Sequence, residues 1–214
     1  MSPIKGLLFD LDGVLVTTEH NHFIAWQRCA HSLDIPFTEK ENELLKGVSR
    51  VDSLKKILEL GQKTISNEAF EALLKSKNDF YLESIQALNA TDLLPGVAAL
   101  LEEAKHKGIL LGVGSSSKNA TFILGKLGIA HYFDVVIDGN GVTDPKPHPE
   151  VFLNGAKALQ LDPKEVLVFE DAASGIAAAK AGGFTAVGVG NQHIATQADI
   201  YFNDLTEFSL ANYA

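Results

Sequence analysis

The chain has 214 residues, enough for one large domain or a core with a small insert, and enough to bury about 70% of its surface on folding. Its formal net charge is −9, from 18 basic and 27 acidic residues, which speaks against nucleic-acid or anionic-membrane partners, since these need a basic face. A lone cysteine, Cys29, excludes an intramolecular disulfide framework, and without a leader-like or membrane-length apolar run the expectation is a reducing, cytoplasmic setting.

In chain order, short Val/Ile/Leu/Phe runs without polar alternation occur at 4–11, 109–114, 135–137, 166–170 and 185–189. Such runs are how strands buried on both faces read, so they predict a parallel sheet. Helical periodicity separates the later runs at 94–107, 119–127, 149–159 and 174–181, with Gly108, Gly128 and Gly182 placed as left-handed C-terminal glycines. The alternation predicts an α/β doubly wound, Rossmann-like parallel sheet. Residues 17–90 interrupt it with helical patterns alone, so the expected division is a core of 1–16 and 91–214 and a helical insert of 17–90. Within the insert, Ser49 and Ser66 are expected helix N-caps, and Leu54, Ile57 and Leu58 an apolar face ended at Gly61.

Ligands of doubly wound sheets gather beyond the carboxyl ends of the strands, and four such ends carry unusual residues. In GLLFDLDGVL, Asp10 and Asp12 are two apart and share a face, with Leu11 directed at the core. Two carboxylates in one apolar crevice repel each other unless a proton or cation intervenes, and a metal is the economical answer. In GVGSSSKN, Ser115, Ser116 and Ser117 lead into a helix whose N-terminus suits an anion. Lys146 stands between two prolines in DPKPHPEV, a rigid loop aiming one ammonium. Glu170 and Asp171 end the run VLVFED, and oxygen ligands from two strand ends match Mg²⁺. Taken singly, these are turn and cap residues; together they form a phosphoryl-transfer set.

FDLDGVL, SSSK, the lone Lys146 and FEDAASG resemble, in order and spacing, the four motifs of the haloacid dehalogenase superfamily, and the likeness covers nearly the whole chain. The resemblance implies a small C1-type helical cap at 17–90, Asp10 as a nucleophile forming an aspartyl phosphate, and Asp12 as the general acid/base. It implies that Ser115, with Ser116 beside it, and Lys146 hold the transferring phosphate. Mg²⁺ would be bound by Asp10, the backbone carbonyl of Asp12, Glu170 and Asp171, and the Lys146-Pro147 bond would be cis. An acid at position 12 speaks against the dehalogenating branch.

The insert adds a second set. His22, Trp26, Cys29 and Leu33 share one helical face, LLKGVSRVDS brings Lys46 and Arg50 around Gly47, and Lys77 falls inside the stripe Phe70, Leu73, Leu74, Tyr81, Ile85. The bland alternatives are a satisfied core histidine, a solvated basic turn and a snorkelling lysine. His22, Trp26, the LKGVSR string with its following Asp-Ser, and Lys77 are similar to the phosphosugar-mutase branch of the superfamily. By that likeness Arg50, with Ser117, Lys118 and Asn119, holds a distal phosphate, His22 and Lys77 orient the sugar or assist Asp12, and Gly47, Val48 and Ser53 line the cap side. The implied reaction interconverts β-glucose 1-phosphate and glucose 6-phosphate, with β-glucose 1,6-bisphosphate as activator and intermediate; a monomer is expected, since such a cap must swing freely. The rival readings are a hexose- or sugar-phosphate phosphatase, a phosphonate-cleaving enzyme with Lys46 as a Schiff base, and a non-catalytic sugar-phosphate sensor.

Overall fold

The computed structural model describes residues 3–45 and 48–213. Strand β1 (Gly6–Phe9) is followed by helices α1 (Glu19–His31), α2 (Glu39–Glu43), α3 (Arg50–Leu60) and α4 (Asn67–Ser84). The alternating part follows with α5 (Val97–His106), β2 (Leu110–Gly114), α6 (Ala120–Lys126), β3 (Val135–Ile137), α7 (Glu150–Leu159), β4 (Val166–Glu170), α8 (Ala173–Ala181), β5 (Thr185–Val189) and β6 (Ile200–Phe202). The chain divides into two compact units, Met1–Thr17 with Leu88–Ala214, and Thr18–Ala87. No described helix is long and apolar enough to cross a membrane.

In the first unit the strands run β3-β2-β1-β4-β5-β6, each neighbouring pair parallel. After β1 the order builds outward through β2 and β3, then reverses to β4 on the other side. That reversal puts a topological switch point at β1, where an open α/β sheet forms its crevice. Leu7, Leu8, Phe9, Val113, Val168 and Phe169 are buried, as expected for strands covered by helices on both faces. Phe9 stacks on Phe169 with ring centroids 4.8 Å apart.

Register then brings the chemistry to one level. Phe9 pairs with Val113 on one side and Phe169 on the other, so Asp10, Gly114 and Glu170 follow at the same height on three adjacent strands. The Asp10 N–H still donates to the Phe169 carbonyl at 2.9 Å. Gly13 N–H donates to Val16 O at 2.7 Å, turning the chain sharply, and a bridge between Val16 and Leu93 sets the outgoing and returning strands of the unit side by side.

Three details depart from the sequence reading. The short edge strand β6, half-buried throughout, is absent from the sequence reading although its apolar run is as long as that of β3. The first strand ends at Phe9 because the turn begins at Asp10. After α8, Gly183 takes the left-handed conformation at φ 82°, while Gly182 stays right-handed at φ −80°; the helix ends at Ala181 as its periodicity suggests, but the left-handed glycine falls one residue later.

The second unit has its own core of Trp26, Phe37, Leu54, Ile57, Leu58 and Leu74. Ser49 and Ser66 cap α3 and α4 by accepting from Asp52 N and Ala69 N, each at 3.2 Å. These bonds satisfy N–H groups that helices leave open in their first turn.

Candidate active site

The centre of the first unit is a buried ion cluster. Lys146 Nζ donates to Asp10 Oδ1 at 2.5 Å, to Glu170 Oε1 at 2.6 Å and to Gly114 O at 2.9 Å. It also lies 4.6 Å from the centre of the Phe152 ring. Asp10, Lys146 and Glu170 are 8%, 6% and 1% exposed, so all three charges have been taken out of water. Desolvation of this kind costs several kcal/mol per ion unless partners compensate. Here the compensation comes from three strands and one loop, and the Lys146-Pro147 bond in that loop is cis.

Glu170 is seated by backbone. Glu170 Oε2 accepts from the N–H groups of Asp171 at 3.0 Å and Ala172 at 3.1 Å, the two residues that lead into α8. Gly175 makes room for it: a Cβ there would stand 1.8 Å from Glu170 Oε1. Gly13, at φ 86°, does the same for Asp171, whose Oδ2 would be 2.1 Å from a Cβ. The Asp171 carbonyl accepts from Asn191 Nδ2 at 3.0 Å.

Burial, reinforced by Glu170 and Asp12 and opposed by Lys146, pushes the Asp10 carboxyl up to about 7. For Lys146, burial favours the neutral amine, but Asp10 and Glu170 outweigh it and hold the ammonium above its ordinary value. One ammonium among Asp10, Asp12, Glu170 and Asp171 leaves an excess of negative charge. Carboxylate oxygens of Asp10, Glu170 and Asp171 lie within 4.8 Å of one another, a hard oxygen donor set suited to a divalent cation. A cation there favours ionised Asp10.

The loop after β2 contributes hydroxyls. Ser115, 2% exposed, accepts from Ser117 N at 3.1 Å through Oγ, and Ser117 Oγ accepts from Asn119 N at 3.2 Å. A hydroxyl that accepts from backbone N–H keeps its own proton for donation elsewhere. Ser116 and Asn119 are half-buried and Lys118 is exposed.

In the helical unit, the structure brings His22, Trp26 and Lys77 together. Lys77 is only 4% exposed, so it does not snorkel. Its Nζ lies 2.9 Å from His22 Nδ1 and 4.5 and 4.8 Å from the ring centres of Trp26 and Tyr81. With Nζ as donor, Nδ1 accepts and the imidazole carries its proton on Nε2. Tyr81, fully buried, stacks on His22 at 4.1 Å and shares a 2.8 Å hydrogen bond with Thr18. Arg50 opens α3 behind the Ser49 cap, and burial draws its guanidinium below the usual value. Ser53 is buried and Val48 half-buried; Lys46 and Gly47 lie outside the described residues.

Sequence reasoning overlooked Asn191, Tyr81, Thr18 and Gly175. Asn191 follows the end of β5, the same kind of position that revealed the other polar residues. Tyr81 reads as one more member of an apolar stripe, because periodicity records its ring and not its hydroxyl.

Residues 4–183 match the haloacid dehalogenase-like hydrolase family. The chain belongs to that family. Haloacid dehalogenase-like relatives span nearly all of it: the β-phosphoglucomutase of Bacillus subtilis is 39% identical over 209 residues, covering 97% of this chain and 92% of the relative. The phosphorylated carbohydrates phosphatase of Thermotoga maritima is 34% identical, covering 84% of this chain and 82% of the relative. A haloacid dehalogenase-like crystal structure, the β-phosphoglucomutase of Clostridium difficile, superposes with a TM-score of 0.94 at 37% identity, over 98% of this chain and 95% of that one.

Proposed function

We propose that this enzyme is a β-phosphoglucomutase, interconverting β-glucose 1-phosphate and glucose 6-phosphate. The observation that carries the reading is the 39% identity to the Bacillus subtilis mutase across 97% of the chain. The Asp10–Lys146–Glu170 cluster with Asp12 two residues on supports phosphoryl transfer, and Arg50 with the His22–Lys77 pair supports a phosphosugar.

In this reading Asp10 is the nucleophile and Asp12 the proton carrier. Phosphorylated Asp10 gives its phosphoryl group to the sugar 6-hydroxyl as Asp12 takes the hydroxyl proton, forming β-glucose 1,6-bisphosphate. The bisphosphate reorients, Asp10 attacks the 1-phosphate, and Asp12 returns the proton to the departing 1-oxygen. Ser115, Ser116 and Lys146 hold the transferring phosphate. Arg50, whose planar fork grips phosphate bidentately, holds the other phosphate with Ser117, Lys118 and Asn119. Mg²⁺, bound by Asp10, the Asp12 carbonyl, Glu170 and Asp171, would neutralise charge on the phosphoryl oxygens. Lys146 meanwhile keeps Asp10 and Glu170 from repelling each other.

A sugar-phosphate phosphatase is the second reading, favoured by the 34% identity to the Thermotoga maritima phosphatase. One assay separates the two: protein, Mg²⁺, β-glucose 1-phosphate and a trace of the 1,6-bisphosphate, with glucose 6-phosphate and inorganic phosphate followed together. Glucose 6-phosphate with little free phosphate is the mutase result; free phosphate keeping pace with sugar loss makes the enzyme a phosphatase.

A further inference from the structure

The turn of residues 138–141 leans on the loop of residues 115–119 through that loop's carbonyls. Gly139 N–H donates to Ser117 O at 3.2 Å. Asn140 Nδ2 donates to Lys118 O, also at 3.2 Å. Gly139 stands so close that a Cβ would lie 2.5 Å from Ser116 O. Three successive carbonyls, those of Ser116, Ser117 and Lys118, therefore face the turn. The turn is stiffened in its own right, since Asp138 accepts from Asn140 N at 2.8 Å and from Asn140 Nδ2 at 3.2 Å, and Gly141 N–H donates to Asp138 O at 2.9 Å.

This arrangement matters for an anion. In a trans peptide unit the N–H and C=O point to opposite edges, so carbonyls held toward the turn aim the following N–H groups the other way. Ser117 and Asn119 N–H meet the Ser115 and Ser117 hydroxyls, which leaves those hydroxyls oriented as donors. A peptide flip in this loop would present a carbonyl dipole to a phosphate and reverse the sign of the interaction.

We propose that Gly139 and Asn140 are positioning residues for phosphate binding: they do not touch the ligand, but by bracing the 116–118 carbonyls they keep the 115–119 loop in its anion-accepting form. The inference rests on the reading of that loop as a phosphate site.

The test measures inorganic phosphate binding by calorimetry with Mg²⁺ present, and KM and kcat for β-glucose 1-phosphate with the bisphosphate activator, in wild type, Asn140→Ala, Gly139→Ala and Ser115→Ala. Asn140 is exposed, so its replacement leaves the thermal midpoint nearly unchanged. Loss of its bond to Lys118 O raises the phosphate Kd and the KM about 2- to 10-fold, while kcat stays within about 2-fold. Gly139→Ala moves both in the same direction and further. Unchanged Kd and KM in Asn140→Ala, with Ser115→Ala weakening phosphate, overturns the bracing role alone. If Ser115→Ala also leaves phosphate binding unchanged, the loop is not a phosphate site and the inference falls with that reading.

Discussion

Lys146 Nζ lies 2.5 Å from Asp10 Oδ1 although the two residues are 136 positions apart, and the same ammonium holds Glu170. Replacing Lys146 with Ala leaves two buried carboxylates facing each other without their shared cation. Loss of one partner of a buried ionic group costs roughly 3–5 kcal/mol. Urea unfolding of Lys146→Ala should show a loss of that order together with loss of activity, and wild-type stability would contradict the structural part of the role.

Gly175 is occupied on its open side by a carboxylate. A methyl group there must displace Glu170 from its bonds to Lys146, Asp171 N and Ala172 N. Gly175→Ala should therefore destabilise the fold by about 1–3 kcal/mol, despite the better helix propensity of alanine. With Glu170 as a Mg²⁺ ligand, as proposed, it should also weaken Mg²⁺ binding measured by calorimetry on the purified protein.

Asp10 and Asp12 are assigned different work and should fail differently. Under the proposed reading, Asp10→Asn removes the nucleophile and abolishes turnover, whereas Asp12→Ala removes only proton transfer, worth about 10²- to 10⁴-fold. Under the mutase reading, Arg50→Ala loses glucose 6-phosphate production while still releasing phosphate; unchanged mutase flux would remove Arg50 from the second phosphate site.

Cys29 is buried in the core of the helical unit, and burial, partly offset by Lys77, pushes its thiol up to about 11 from 9.0. The folded state favours the protonated thiol. Its contribution to stability is complete below pH 9 and is lost as pH rises through about 11. The folded protein should resist a thiol-specific chromogenic disulfide reagent at pH 8, where the unfolded chain reacts promptly.

Tyr201 carries a buried hydroxyl without a hydrogen-bond partner. Removing an unsatisfied buried polar atom without changing shape recovers its desolvation cost, about 1 kcal/mol or more. Tyr201→Phe should raise the unfolding free energy by about that amount. A fall in stability would mean that the hydroxyl is satisfied in solution.

Much of the site was legible because strand ends are conspicuous. Asp10, Asp12, Ser115, Lys146, Glu170 and Asp171 each interrupt or follow an apolar run at a place where burial of a polar group is expensive, so their presence needed a chemical reason. Edge strand β6 was missed, although its apolar run Ile200–Phe202 is as long and as half-buried as that of β3. Lys77 was ambiguous because helical periodicity puts it on the apolar face beside Tyr81 of its own helix, but whether its ammonium escapes to water or is caged depends on rings from another helix. Only the packed structure reveals His22 and Trp26 of α1 around it.

The sequence by itself determined the α/β alternation, the helical interruption between the first strand and the rest, and the charged residues that stand at the strand ends. Those features follow from periodicity and from the cost of burying charge, both of which are local. The tertiary structure alone decided which partners those charges have. That Lys146 bridges Asp10 and Glu170, that Gly13 vacates space for Asp171, and that Asn140 bonds the Lys118 carbonyl all depend on strand order and register. These are set by the packing of segments distant in the chain.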